Sequence, residues 1–165
     1  MRTLKLLGEG IPFPFSILYA RGARKYFMRF YKEIAEEVAS EIEAGYLLDL
    51  GTGHGLLPIE IAKIAPNVKI TGIDISEDMV RIARKNVKRE GVADRVKFQA
   101  GDANNLSFDD GSFDFIISTG AMHHWSNPIT VFNEAHRVLK YGGKAWIYDL
   151  RRDASREKLE KYRLS

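Results

Sequence analysis

The segment Tyr46-Leu47-Leu48-Asp49-Leu50-Gly51-Thr52-Gly53-His54-Gly55-Leu56 decides how this chain folds. Tyr46 to Leu50 is an apolar run with the character of a buried strand, and three glycines at alternate positions follow it at once. Leu56 to Ala65 then carries apolar residues at helical spacing, with Pro58 in the first turn, where a missing N–H is tolerated. The order is strand, tight turn, helix. Lacking Cβ atoms, the glycines can adopt positive φ and allow a ligand close to the main chain. The helix beyond them offers unpaired N–H groups and the positive end of its dipole, which suits a carboxylate or a phosphate. In an open α/β sheet, nucleotide-like ligands bind at such a turn, at the carboxyl end of the strand. A glycine turn is also an ordinary structural device, so the residues downstream must separate the two readings.

Working outward, Val68 to Asp74 alternates and is β-branched, which predicts a second strand. Ser76 reads as a helix N-cap, with Glu77 and Asp78 in the first turn. Met79, Ile82, Ala83 and Val87 are spaced as its buried stripe, Arg81, Arg84, Lys85, Lys88 and Arg89 as a basic face, and Gly91 as its stop. Arg95 to Gln99 predicts a third strand and Phe113 to Thr119 a fourth. Asn127 and Pro128 open a helix with Val131, Phe132, Ala135, Val138 and Leu139 on one face, and Gly142-Gly143 turns the chain into a fifth strand, Lys144 to Leu150. Upstream, residues 8–20 mix Gly and Pro with aromatics, which predicts no long regular element there. A helix is expected from Ala23 to Ala44, with Gly45 as its stop. Strands alternating with helices predict an α/β fold, a three-layer Rossmann-like sandwich whose mostly parallel sheet of about five strands has helices on both faces.

The 165 residues suit one domain: a lid segment and helix over 1–44, a ligand-binding core over 46–150 and a short terminal helix over 151–165. A net charge of +3 is too mild for a dedicated nucleic-acid binder. The absence of cysteine excludes disulfides, thiolate zinc sites and cysteine nucleophiles. No apolar run approaches the roughly 18 residues of a membrane span, and the first residues are too polar for a secretory signal, so a cytoplasmic protein without a membrane partner is expected.

Four strand ends carry polar residues suited to one ligand. Asp49 precedes the glycine turn. Asp74 ends the second strand 23 positions after Gly51, where an acidic side chain can accept both hydroxyls of a ribose. Asp102 follows the third strand and can accept from an adenine amino group, and Thr119 to Trp125 follows the fourth. In a parallel sheet these ends share one edge. The spacing is Gly-x-Gly-x-Gly, whereas the dinucleotide fingerprint would need glycine where Leu56 stands, and the P-loop pattern is absent. Acidic side chains, with no lysine in the turn, favour a cationic ligand over a triphosphate.

At this point the sequence resembles the class I S-adenosylmethionine-dependent methyltransferases, particularly the small-molecule type with an Asp-Leu-Gly-Thr/Cys-Gly-x-Gly turn. The resemblance covers roughly residues 46–150 and runs through Asp49-Leu50-Gly51-Thr52-Gly53-His54-Gly55, Asp74, Gly101-Asp102-Ala103, the His123-His124-Trp125 tail and Val138-Leu139-Lys140-Tyr141-Gly142-Gly143. It implies S-adenosyl-L-methionine as cofactor and S-adenosyl-L-homocysteine as product. It implies that Gly51, Thr52, Gly53 and Gly55 hold the methionine part, with Asp49 near its ammonium. Asp74 would bind the ribose, Ile75 and Met79 would pack on the adenine, Gly101, Asp102 and Ala103 would read its edge, and Thr119 would lie beside the sulfonium. By position, Tyr19 can contact cofactor or substrate.

His123 and His124 can serve as a base, since an imidazole titrates near neutrality, or simply pack at a strand end. Adjacent histidines without a nearby carboxylate ligand are poor evidence for a metal, and no metal is expected. After the fourth strand stands Ser118-Thr119-Gly120-Ala121, not the Asn-Pro-Pro-Tyr of amino-group methyltransferases acting on nucleobases or glutamine. The reading is therefore methyl transfer to a small molecule. The alternatives are a cofactor-binding module without turnover that works with a partner protein, and an RNA methyltransferase using the basic helix face. The family usually continues past the fifth strand with a helix and an antiparallel strand pair. Here that pair is expected to be missing, leaving an edge for the terminal helix, the N-terminal segment or a second copy in a homodimer to cover.

Overall fold

The computed structural model describes residues 15–149, with side chains from Met28 onward. The Tyr19 side chain, the segment 1–14 and the terminal helix expected over 151–165 lie outside the described residues. The elements run α1 (Phe15–Glu41), β1 (Gly45–Leu50), α2 (Leu56–Ile64), β2 (Val68–Asp74), α3 (Glu77–Arg89), β3 (Val96–Ala100), β4 (Phe113–Thr119), a 3-10 turn (Met122–His124), α4 (Pro128–Val138) and β5 (Leu139–Tyr148). The five strands form one sheet in the order β3-β2-β1-β4-β5, with every neighbouring pair parallel. This is the Rossmann-like sandwich expected from the sequence. β1 has β2 on one side and β4 on the other, so the strand order reverses beside β1, the place where such sheets open a crevice.

β1 shows how the layers are made. Leu47 packs with Ile34, Val38, Leu57, Ile61, Ala83 and Val87 from α1, α2 and α3 on one face. Leu48 and Leu50 pack with Val131, Ala135 and Val138 of α4 on the other. Side chains alternate along a strand, so Asp49 shares the face of Leu47 and lies under α1 and α2. Phe115 is completely buried, meets Trp146 edge-to-face at 5.1 Å, and is worth about 2 kcal/mol in burial. At the amino-terminal edge Asp114 accepts from Tyr46 N at 2.8 Å and from Lys140 Nζ at 2.8 Å, holding β1, β4 and β5 in register. No helix among the described residues is long and apolar enough to cross a membrane.

Several boundaries differ from those read in the sequence. α1 begins at Phe15, so Pro14 precedes the helix instead of breaking it, and residues 15–20 are helical. It ends at Glu41; Gly45 is the first residue of β1, with φ 123°. The buried stripe of α3 is Val80, Ala83 and Val87, with Met79 and Ile82 only half buried. Phe132 is 44% exposed and stands outside the buried face of α4. β5 starts at Leu139, immediately after α4, and Gly142 and Gly143 lie inside it at a register irregularity opposite β4. A Cβ on Gly143 would come within 2.8 Å of Leu139 Cδ1, so glycine lets the strand bulge there.

Candidate functional site

The glycine turn hangs from β2. Gly51 N and Thr52 N both donate to Ile73 O, at 2.9 and 2.8 Å, and Gly51, Gly53 and Gly55 all have positive φ. The glycines differ in what surrounds them. A Cβ on Gly51 would lie 2.3 Å from Ala121 Cβ, and one on Gly55 2.5 Å from Phe98 Cζ, whereas Gly53 has nothing within 4 Å. Two glycines therefore make room for the protein, and the middle one faces open space. Gly55 also precedes α2 without a side-chain cap, leaving the first N–H groups of that helix unclaimed by a capping side chain.

Asp74, at the end of β2, joins this turn to the next helix. Its Oδ2 accepts from Gly53 N at 2.8 Å and its Oδ1 from Ser76 N at 2.9 Å. Ser76 in turn caps α3 by accepting from Met79 N, as its position in the sequence predicts. Each carboxylate oxygen keeps a further lone pair for a ligand. Asp102 sits on the neighbouring strand end: Ala100 pairs with Asp74, and Gly101 N donates to Asp74 O at 3.0 Å. Asp102 Oδ1 accepts from the main-chain N and from Nδ2 of Asn104, both at 2.8 Å, and these bonds hold its carboxyl below the usual carboxylate range. Between the two carboxylates the rim carries Ile75, 79% exposed, together with half-buried Met79, Gly101 and Ala103.

Beside the turn opens a cavity of about 180 Å³. Tyr31 of α1, Asp49, the turn Gly51 to His54, Leu56 and Leu57 of α2, and Thr119 and Gly120 after β4 line it. Asp49 is only 3% exposed. Burial pushes its carboxyl up to about 7; the Thr52 hydroxyl beside it pulls the other way without forming a hydrogen bond of normal geometry, and the charge of Asp74 adds to the rise. Burial, then the charge of Asp49, raises the Tyr31 hydroxyl in the same manner. Buried polar atoms almost always have partners. Here Thr52 Oγ1 and Thr119 Oγ1 in the cavity wall, and Asn104 Oδ1 beside Asp102, have none. Three orphaned atoms along one rim, with an open glycine and a buried acid, fit a ligand that is polar along its length and cationic at one end.

The histidine pair is placed by the turn after β4. His123 N donates to Asp149 Oδ2 and His123 Nδ1 meets Asp149 Oδ1, both at 2.8 Å, while the rings of His123 and His124 lie 3.9 Å apart. The expectation of histidines without a nearby carboxylate is thus corrected. Asp149 escapes a sequence reading because it lies 26 residues away and arrives only through the register that pairs Thr119 with Tyr148. Tyr31 was legible only as one of several aromatics in α1. Among the described residues no three His, Asp or Glu side chains cluster as a metal site requires. A larger groove, about 590 Å³, runs along α3, lined by Glu77 and Asp78 of its first turn and by Arg81, Arg84, Lys85 and Lys88 of the basic face read from the sequence; none of the residues expected to hold the cofactor lines it.

A family model described as a methyltransferase domain matches residues 47–143. The chain is 36% identical over 110 residues to a demethylmenaquinone methyltransferase of Porphyromonas gingivalis, a match covering 66% of this chain and 45% of that one. It is 39% identical over 103 residues to the 27-O-demethylrifamycin SV methyltransferase of Amycolatopsis mediterranei, covering 62% and 38%. The chain thus spans less than half the length of these curated relatives. A solved structure of a candidate S-adenosyl-L-methionine-dependent methyltransferase from Methanococcus maripaludis superimposes with a TM-score of 0.72 at 31% identity, covering 86% of this chain and 66% of that one. The matched span begins inside β1, crosses the glycine turn and all three rim carboxylates, and reaches Gly143 within β5: by fold and by sequence, this chain belongs to the class I methyltransferase domain family.

Proposed function

We propose that the chain binds S-adenosyl-L-methionine along the strand-end rim and directs its methyl group to a small-molecule acceptor. The observation that carries this reading is the Asp74 carboxylate, fixed between Gly53 N and Ser76 N one strand away from Asp102 and beside the cavity that holds Asp49. The cofactor, when bound, supplies an electrophilic methyl group on a positively charged sulfur with a good leaving group. The remaining work is done by the chain. Asp74 offers its free lone pairs to the ribose hydroxyls. Asp49 supplies a negative charge for the ammonium, and Thr52 and Thr119 offer hydroxyls that have no partner within the protein. Ile75 and Met79 offer apolar contact to the base. Displacement at a methyl group requires mainly that the nucleophile be held in line in a dry site, which a wall of α1 and the turn after β4 supports. Both curated relatives named above carry names of small-molecule methylation, which supports an acceptor of that class.

Calorimetric titration with S-adenosylhomocysteine tests the reading. Binding is expected at one site per chain, and Asp74→Ala should weaken it about 100-fold, since two charge-assisted hydrogen bonds of roughly 1.5 kcal/mol each are removed. Binding of NAD with no binding of S-adenosylhomocysteine would overturn it.

A further inference from the structure

The groove along α3 shares no residue with the cavity at Asp49. It reaches Ala100 at the end of β3, the outermost strand on that side of the sheet among the described residues. Its cations are not equivalent. Arg81 meets Asp78 at 2.6 Å, a pair formed within the helix. Arg84 donates through Nε to Phe98 O at 2.9 Å. That bond pins the guanidinium and leaves its two terminal nitrogens to a ligand. Lys85 and Lys88 are exposed and have no hydrogen-bond or ion-pair partner among the described residues. Arg81, Lys85 and Lys88 stand at i, i+4 and i+7, so they form one stripe with a cation at about every helical turn of ~5.4 Å.

The chemistry of the occupant follows from what the groove refuses. Arg81 to Lys88 covers about 10 Å of helix, more than one phosphate spans. A phosphodiester chain is anionic throughout and would run against Glu77 and Asp78 at the other end, and no aromatic side chain lines the groove to stack a base. A membrane surface asks for large apolar side chains, whereas the apolar lining is Val80 and Ala100 alone. A strand from a second copy would need the outer main-chain edge of β3. Arg95 O and Gly101 N are bonded to β2, so Phe98 O, between them, faces away from the sheet, and Arg84 covers it. A peptide with acids at alternate positions meets every condition. In an extended chain those side chains share one side about 6.8 Å apart, close to the spacing of the cations. A carboxylate also fits the free fork of Arg84 bidentately. We propose that this groove docks an extended acidic segment of a partner protein, held by Arg84, Lys85 and Lys88. The segment lies beside the strand-end rim, since Ala100 pairs with Asp74, without entering the cavity.

Fluorescence anisotropy of the full chain with a short labelled peptide of alternating Asp and Ser tests this at low and at physiological salt. Saturable binding is expected. Joint substitution Lys85→Ala and Lys88→Ala should weaken it about tenfold, and Arg84→Lys, which keeps the charge but loses the fork, by a few-fold. Melting temperature and affinity for S-adenosylhomocysteine should not change in the lysine variant, which separates docking from folding and from the cofactor reading. A peptide with Asn for Asp should not bind, and one with the same residues but all its Asp at one end should bind more weakly. Equal binding of that clustered peptide would mean a diffuse charged surface and overturns the site. Tighter binding of oligouridylate than of the peptide, lost in the same variants, assigns the groove to nucleic acid and overturns the proposal. Saturable peptide binding that the lysine variant leaves unchanged, or no binding at low salt, overturns it as well.

Discussion

Asp49 is an acid kept from water by Leu47's face of the sheet, and its pKa near 7 makes it neutral or charged according to small changes in its surroundings. The folded state favours its protonated form. That preference stabilises the protein fully below the ordinary Asp value near 4, and is lost as pH rises toward and through about 7, to an extent on the order of 4 kcal/mol. Asp49→Asn should therefore raise the melting temperature at pH 8 and leave it nearly unchanged at pH 4, as differential scanning calorimetry would record. The same substitution removes the charge offered to a ligand ammonium. Affinity for S-adenosylhomocysteine should rise between pH 6 and pH 8 in the wild type and stay flat in the variant; parallel profiles would contradict the assignment. The groups around this carboxyl are Tyr31, Thr52 and Asp74, and none of them supplies a cation. The acid is costly to the fold, as residues kept for binding often are. Its identity was legible in the sequence because the motif sets it two positions before the first glycine. Its burial was not, since that depends on α1 lying over β1.

At the scale of the element, the glycine turn separates folding from binding. Gly51→Ala places a Cβ against Ala121 at a φ of 75° and should cost about 2 kcal/mol or more in stability. Gly53→Ala meets only the strain of its φ of 53°, about 1 kcal/mol, but projects a methyl group into the open side of the turn. Chemical denaturation and calorimetric titration should then give opposite orders, with Gly51→Ala the less stable protein and Gly53→Ala the weaker binder. Equal loss of binding in both would contradict the claim that the middle glycine faces the ligand. Another element, the loop from Gly101 to Gly111, is held to α4 by Arg137, which donates to Leu106 O, Phe108 O and Asp110, and by Glu134, which accepts from Leu106 N. No periodicity announces such a clamp. Periodic elements were legible: the Ser76 and Asn127 caps and the strand Val68 to Asp74 stand where the sequence puts them. What failed were readings in which local signals compete with tertiary ones. Gly142-Gly143 looks like a turn but is drawn into β5 by pairing with β4, and the α3 stripe shifts by one residue because helix orientation is set by the sheet beneath.

Across the whole molecule, the parallel sheet gathers residues 49, 74, 102 and 119 on one rim although they span 70 positions of sequence, and that convergence followed from the strand–helix alternation alone. The partner of β5 could not be read in the same way. Among the described residues β5 pairs only with β4, and no strand among them lies along its other edge. We propose that a second copy covers it; light scattering should give a dimer mass, and a monomer at all concentrations would contradict this. The rim itself is the central claim, and a crystal structure with S-adenosylhomocysteine tests it most directly. The ribose hydroxyls should lie within hydrogen-bond distance of Asp74, the adenine edge beside Asp102, and the ammonium in the cavity at Asp49. Density for the ligand at any other place, or none at saturating concentration, would contradict the account.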